Sequence, residues 1–195
     1  MKKRLILASG SPRRKELLAE LGFDFDVIIS DAEEEHRSDI PLTELCERNA
    51  VLKTEAVASQ YPDAVVLGGD TLVYLDEEPL GKPKTQCEAE VMLKRLSGRS
   101  HQVCSGMCLI EGDRVQSFHA VTDVVFKEIN EEAIRSYMER VNVMDKAGSY
   151  AVQECGEMII ESVSGDFSNV VGLPQTLVLE QLRSFGLRPE LNPPS

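Results

Sequence analysis

The chain has 195 residues, 42% hydrophobic and 28% charged, and its 33 acids against 21 lysines and arginines give a net charge of −12. That length suits one domain, or one domain with a modest lobe, burying roughly 70% of its unfolded surface; no tract approaches the ~18 apolar residues of a membrane span. The acidic excess argues against an extended nucleic-acid surface, which needs a basic stripe, but is compatible with a small anion held beside a metal ion.

In chain order, the apolar run "RLILAS" predicts a strand, and "PRRKELLAEL" predicts a helix over 12–21, capped by Ser11, opened by Pro12 and stopped by Gly22. "FDVII" reads as a strand at 25–29, residues 41–60 as a long helix, and "AVVLGGDTLVYL" as a strand over 64–75 that turns at 76–79. A helix over 86–96 follows, then two long strands within 101–129 joined at Glu111–Arg114, and a helix at 131–140. "MIIESV" is a further strand, and a closing helix runs from Pro174 to Gly186, with a ragged tail at 188–195. Alternating strands and helices, then a hairpin-rich middle, predict a single α/β domain over 1–195: a bent mixed β-sheet flanked by helices, its cleft between two lobes.

Cys46, Cys87, Cys104, Cys108 and Cys155 are odd in number and contain no CxxC pair, so neither a disulfide framework nor a zinc site is expected. Cys104 and Cys108, four apart on a strand, read as small core residues of one face. The start "MKKRLILASGS" is too briefly apolar for a secretory leader, and a cytoplasmic location is expected.

Several side chains sit badly in their local pattern. Arg13 and Arg14 open a helix whose positive dipole end lies there, and Arg14 continues the apolar stripe of Leu17, Leu18 and Leu21. A buried arginine wants a bidentate partner, either phosphate or a structural acid, and the "SGS" loop of Ser9, Gly10 and Ser11 offers outward amides. Lys53 and Asn49 interrupt the stripe Leu42, Leu45, Cys46, Leu52, Ala56, so Lys53 either snorkels or reaches into the cleft. Asp70 follows Gly68 and Gly69 inside an apolar strand, where a carboxylate needs a metal or a cation such as Lys82, returning across a 64–82 hairpin. The glycines allow another group close to the backbone. With the acidic run Asp31, Glu33, Glu34, Glu35, Asp70 supplies the all-oxygen donors that Mg²⁺ or Mn²⁺ requires. In "DKAGSYAVQE", Lys146 and Gln153 are candidate substrate contacts, the amide pairing a donor with an acceptor as a pyrimidine edge does.

Together "LASGSPRR", "RNAVLK", "GGDTLV", "GKP", "LSGRSHQV", "DKAGSYAVQ" and "SNVVGLP" resemble the Maf family of nucleoside triphosphate pyrophosphatases, from about residue 4 to residue 186. The resemblance implies a fold related to the inosine-triphosphate pyrophosphatases, a homodimer, and hydrolysis of a nucleoside triphosphate to monophosphate and pyrophosphate. It implies triphosphate binding by Ser9, Arg13 and Arg14, charge neutralisation by Lys53 and Lys82, and Mg²⁺ or Mn²⁺ at Glu34 and Asp70, with catalysis by Asp70, Lys82 and Glu34. Arg13, Thr71 and Gln153 look like the branch acting on dTTP and UTP, and modified pyrimidine nucleotides such as 5-methyl-UTP and pseudo-UTP are further expected substrates. Glu154 stands where family members often carry glycine. The alternatives are the sister branch acting on 7-methyl-GTP and a non-catalytic nucleotide-binding regulator of cell division. A P-loop enzyme is set aside because no GxxxxGK[ST] occurs.

Overall fold

The structure is a computed structural model and describes residues 3–37, 39–76 and 78–190; of the expected tail, residues 191–195 lie outside the described residues. Its elements are β1 (Arg4–Leu7), α1 (Pro12–Glu20), β2 (Asp26–Val27), α2 (Leu42–Ala58), β3 (Ala64–Leu75), β4 (Glu78–Leu80) and α3 (Gln86–Leu96). Then come β5 (Ser100–Glu111), β6 (Arg114–Phe126), α4 (Glu131–Arg140), β7 (Ile160–Ser164), α5 (Phe167–Val171) and α6 (Gln175–Ser184). Among the described residues seven strands form one sheet in the order β2-β1-β3-β5-β6-β7, with β4 also paired to β3. β1 runs parallel to β2 and β3 and the remaining pairs are antiparallel, so the sheet is mixed and flanked by helices as expected.

Local chemistry sets the boundaries. α1 starts where Ser11 Oγ accepts from the Arg14 amide at 3.4 Å, with Pro12 in the first turn. The strand expected at 25–29 shrinks to Asp26–Val27, because β1 ends at Leu7 and leaves nothing further to pair with. Of the expected turn at 76–79, Glu77 lies outside the described residues; Leu75 pairs with Glu78 and Tyr74 with Pro79. α5 and single helical turns at Ala147–Ser149 and Gly156–Met158 were not expected.

β3 changes neighbours along its length. It pairs with β1 through Ala64–Leu67 and with β4 through Val73–Leu75, while β5 stays beside it from Val66 to Tyr74. Gly68–Leu72 therefore has a strand on one side only, among the described residues. Ligand sites of open α/β sheets form at such places. The apolar interior divides at the same level: one cluster gathers Val73, Leu75, Val103, Phe126 and Tyr137, another Leu7, Val65, Leu67, Met107 and Phe185.

α2 lies against the sheet at this level. A Cβ on Gly68 would fall 2.2 Å from Thr54 Oγ1, and one on Gly106 2.4 Å from the Cys46 backbone. The group that the glycines admit is the helix itself, which brings Asn49 and Lys53 over Asp70. Cys104 and Cys108 are fully buried, as expected of core thiols.

Candidate active site

Asp70 is 5% exposed, and both its oxygens are engaged from α2. Lys53 Nζ donates to Oδ1 at 2.7 Å and Asn49 Nδ2 to Oδ2 at 3.1 Å. Burial pushes the Asp70 carboxyl up, but the Lys53 ammonium, then Arg14 and Asn49, override it and hold the group below the usual carboxylate range. Asp70 is thus ionised at neutral pH, suited to holding a cation or orienting water and poorly suited to drawing off a proton.

The same ammonium donates to Glu34 Oε1 at 2.6 Å. Two carboxylates from distant segments, the loop after β2 and the middle of β3, converge on one cation position. Asn49 fastens that loop, its Oδ1 accepting from the Glu35 amide at 2.7 Å and its Nδ2 donating to the Glu35 carbonyl at 3.2 Å. Glu35 Oε2 is buried without a partner among the described residues. An all-oxygen donor set of this kind fits Mg²⁺ or Mn²⁺, which take one or two carboxylates and complete their shell with water and substrate phosphate. No group of three or more His, Cys, Asp or Glu suited to a metal occurs among the described residues.

Arg14, 9% exposed, lies beside this centre. Its Nε donates to the Gly172 carbonyl at 2.9 Å, Nη2 to Thr71 Oγ1 at 2.8 Å and Nη1 to Ser9 Oγ at 3.3 Å. Burial lowers the guanidinium from its ordinary value and Asp70 opposes that, but an arginine stays charged. Arg13 is half-buried and unpaired among the described residues, and its charge helps lower the nearby Asp145 carboxyl, behind the larger effects of burial, which opposes, and of Lys146.

The model of the Maf-like protein family matches residues 4–185. The chain belongs to the Maf family. This Maf chain is 50% identical over 184 residues to the dTTP/UTP pyrophosphatase of Akkermansia muciniphila, an alignment covering 94% of this chain and 97% of the relative. It is 48% identical to the protein of that name from Symbiobacterium thermophilum, covering 93% and 94%, and 44% to that of Bacillus velezensis, covering 96% and 100%. The Ham1 protein of Staphylococcus aureus shares the fold, with a TM-score of 0.54 at 17% identity over 92% of this chain and 100% of that one.

Not every expected residue of this Maf site sits beside Asp70. Lys82 is exposed and makes no ion pair among the described residues, so the Asp70–Lys82 pair that the hairpin suggested is replaced by Asp70–Lys53. Continued, the register Val73↔Leu80 sets Lys82 level with Thr71 instead of Asp70. Lys146, 4% exposed, directs its ammonium to the Asn142 carbonyl at 2.7 Å, Asp145 at 3.0 Å and Glu154 at 3.3 Å, closing its own loop. That loop reaches the Lys82 segment through the Gly148 amide, which donates to the Gly81 carbonyl at 3.1 Å. Gln153 is exposed on it, without a side-chain hydrogen bond among the described residues. Asp31 and Glu33 are exposed and stay out of the Lys53 cluster.

Three residues were missed. Asn49 stood out as polar in an apolar stripe but received no role; Ser105 and Asn169, both fully buried, left no such signal because small polar residues are unremarkable in strands and loops.

Proposed function

We propose that the chain hydrolyses dTTP and UTP, and modified pyrimidine triphosphates such as 5-methyl-UTP and pseudo-UTP, to the monophosphate and pyrophosphate. The observation that carries this reading is the convergence of Glu34 and Asp70 on one cation position beside the buried guanidinium of Arg14. The names of the relatives supply the nucleotides.

In this reading Ser9, Arg13 and Arg14 bind the triphosphate, and Lys53 and Lys82 offset its charge. Glu34 and Asp70 would hold Mg²⁺ or Mn²⁺, which when bound polarises phosphoryl oxygen and offsets charge on the leaving group. Asp70, ionised, orients a water at the α-phosphorus. The water oxygen bonds to that phosphorus, the bond to the bridging oxygen breaks, that oxygen leaves with pyrophosphate, and the water's proton passes to solvent. No covalent intermediate is required. Lys146 and Gln153 complete the nucleotide pocket, Gln153 with its amide facing the base and Lys146 by holding the loop that carries it, while Thr71 contributes beside Arg14, from whose Nη2 it accepts.

A cytoplasmic setting accords with five unpaired thiols. No helix among the described residues is long and apolar enough to cross a membrane. A homodimer is part of the same proposal: among the described residues β7 pairs only with Asp123–Phe126, leaving Arg114–Val121 of β6 as a sheet edge that a second copy can use.

The test is pyrophosphate release from a panel of canonical and modified triphosphates with Mg²⁺, Mn²⁺ or neither, for wild type and Asp70→Asn. Metal-dependent hydrolysis of dTTP and UTP that falls about a hundredfold or more in the variant supports the assignment. Turnover confined to 7-methyl-GTP, or none at all, overturns it.

A further inference from the structure

Arg14 has five N–H groups, and three are committed inside the protein: Nε to the Gly172 carbonyl, one on Nη1 to Ser9 and one on Nη2 to Thr71. One N–H remains on each terminal nitrogen. Their direction depends on what fixes the other three.

Thr71 Oγ1 lies 2.9 Å from Ser105 Oγ, and Ser105 Oγ lies 3.0 Å from the Asn169 carbonyl oxygen. A carbonyl only accepts, so the single Ser105 proton goes to Asn169, and Thr71 must be the donor to Ser105. The chain therefore runs one way, from Arg14 through Thr71 and Ser105 to the Asn169 carbonyl. Its far end is anchored. Asn169 Oδ1 accepts from the Ser105 amide at 3.2 Å, and Nδ2 donates to the Val103 carbonyl and to Thr122 Oγ1, each at 3.0 Å. Thr122 in turn donates to the Asp166 carbonyl at 3.0 Å. Asn169 lies in α5 and Gly172 just beyond it, so this short helix grips the guanidinium twice, directly and through two hydroxyls.

Satisfied polar groups are the rule in protein interiors. Here, however, the hydroxyl chain leads away from a single charged side chain, two of whose N–H groups have no partner among the described residues. The Thr71 hydroxyl, moreover, has no proton left for a nucleobase. We propose that Thr71, Ser105 and Asn169 are positioning residues that aim Arg14 at the triphosphate, and that Thr71 acts through Arg14 instead of reading the base. The proposal rests on the assignment of Arg14 to the triphosphate.

The experiment separates phosphate from base. Binding of inorganic tripolyphosphate with Mg²⁺, which carries no base, is measured by calorimetry for wild type, Arg14→Gln, Thr71→Val, Thr71→Ser and Ser105→Ala. KM and kcat for UTP, dTTP and CTP, and melting temperature, are taken on the same samples. Thr71→Val and Ser105→Ala are expected to weaken tripolyphosphate binding about tenfold and raise KM by the same factor for all three nucleotides, with kcat changing far less. Thr71→Ser, which keeps the hydroxyl, restores the affinity that Thr71→Val loses. A changed preference among UTP, dTTP and CTP with tripolyphosphate affinity intact overturns the proposal, since Thr71 then reads the base. A lowered melting temperature with binding and KM unmoved overturns it too, leaving a purely structural network. If Arg14→Gln keeps its tripolyphosphate affinity, the parent assignment falls; if it loses affinity while the Thr71 and Ser105 variants do not, only the positioning claim falls.

Discussion

At the scale of single residues, Asn49 does the most for its size. It is 1% exposed and joins Asp70 to the loop that carries Glu34, so Asn49→Ala leaves a buried carboxylate oxygen and a buried amide unanswered. Urea unfolding is expected to show a loss of about 1–3 kcal/mol. In the proposed site Asn49 orients the Asp70 carboxylate that would hold the ion, so the Mg²⁺ concentration for half-maximal activity should also rise about tenfold or more.

His101 makes the second prediction at this scale. It is packed edge-on between Phe126 and Tyr150, Nε2 lies 2.7 Å from the Tyr150 hydroxyl, and Nδ1 has no partner among the described residues. Burial lowers it from 6.5 to about 4, against a small opposing pull from Asp123. Between those values the unfolded chain binds a proton that the folded one refuses, so stability rises with pH across that window. It is lost as pH falls from about 6.5 towards 4, with a slope of at most about 1.4 kcal/mol per unit. In His101→Gln, urea midpoints measured across this range should lose that part of the slope.

Some of these residues were legible in the sequence because they broke a pattern. Arg14, Lys53 and Asp70 are charged groups at apolar positions, and each occupies the buried network that such a misfit implies. Ser105 and Asn169 break no pattern, since a buried hydroxyl or amide becomes conspicuous only when its partners, drawn from segments over sixty residues apart, are known. Lys82 was placed by an expected turn; register then decided otherwise, and register depends on loop length, which periodicity does not report.

At the scale of elements, the fit of α2 on the sheet decides whether Lys53 and Asn49 reach Asp70. Gly106 and Gly68 are the contact points, and at Gly106 the obstacle to a methyl group is helix backbone, which no rotamer change can move aside. Gly106→Ala should destabilise by about 1–3 kcal/mol. As the helix is lifted the Lys53–Asp70 contact opens, so activity at saturating substrate should fall in samples that remain folded by circular dichroism. Long elements were legible for an ordinary reason: α1, α3, α4 and α6 carry caps or a clear apolar stripe, β3 is rich in apolar residues, and β5 and β6 are long strands either side of the turn at Gly112 and Asp113. α5 has five residues, less than two turns, too short for a stripe to show.

At the scale of the whole molecule, the mixed sheet and its flanking helices followed from the alternation of elements, but the change of neighbour along β3 did not. Which strand lies beside which is a property of connections and twist, not of any window of sequence. Ligand linkage tests the assembled site at this scale. With Mg²⁺ and a non-hydrolysable UTP analogue at a hundred times its Kd, stabilisation should be about 2.7 kcal/mol, which for a chain of this size raises the melting temperature by roughly 5–10 °C. Asp70→Asn should lose the part of that shift that requires metal.

β3 and β5 run unbroken through both apolar clusters, from Val65 and Leu67 to Val73 and Leu75 on one, and from Val103 to Met107 and Leu109 on the other. The two ends of the molecule are consequently one cooperative unit: neither can melt without unzipping strands that the other needs. Phe126→Ala in the first cluster and Phe185→Ala in the second should each lower a single, shared urea midpoint, with fluorescence, circular dichroism and enzymatic activity lost together.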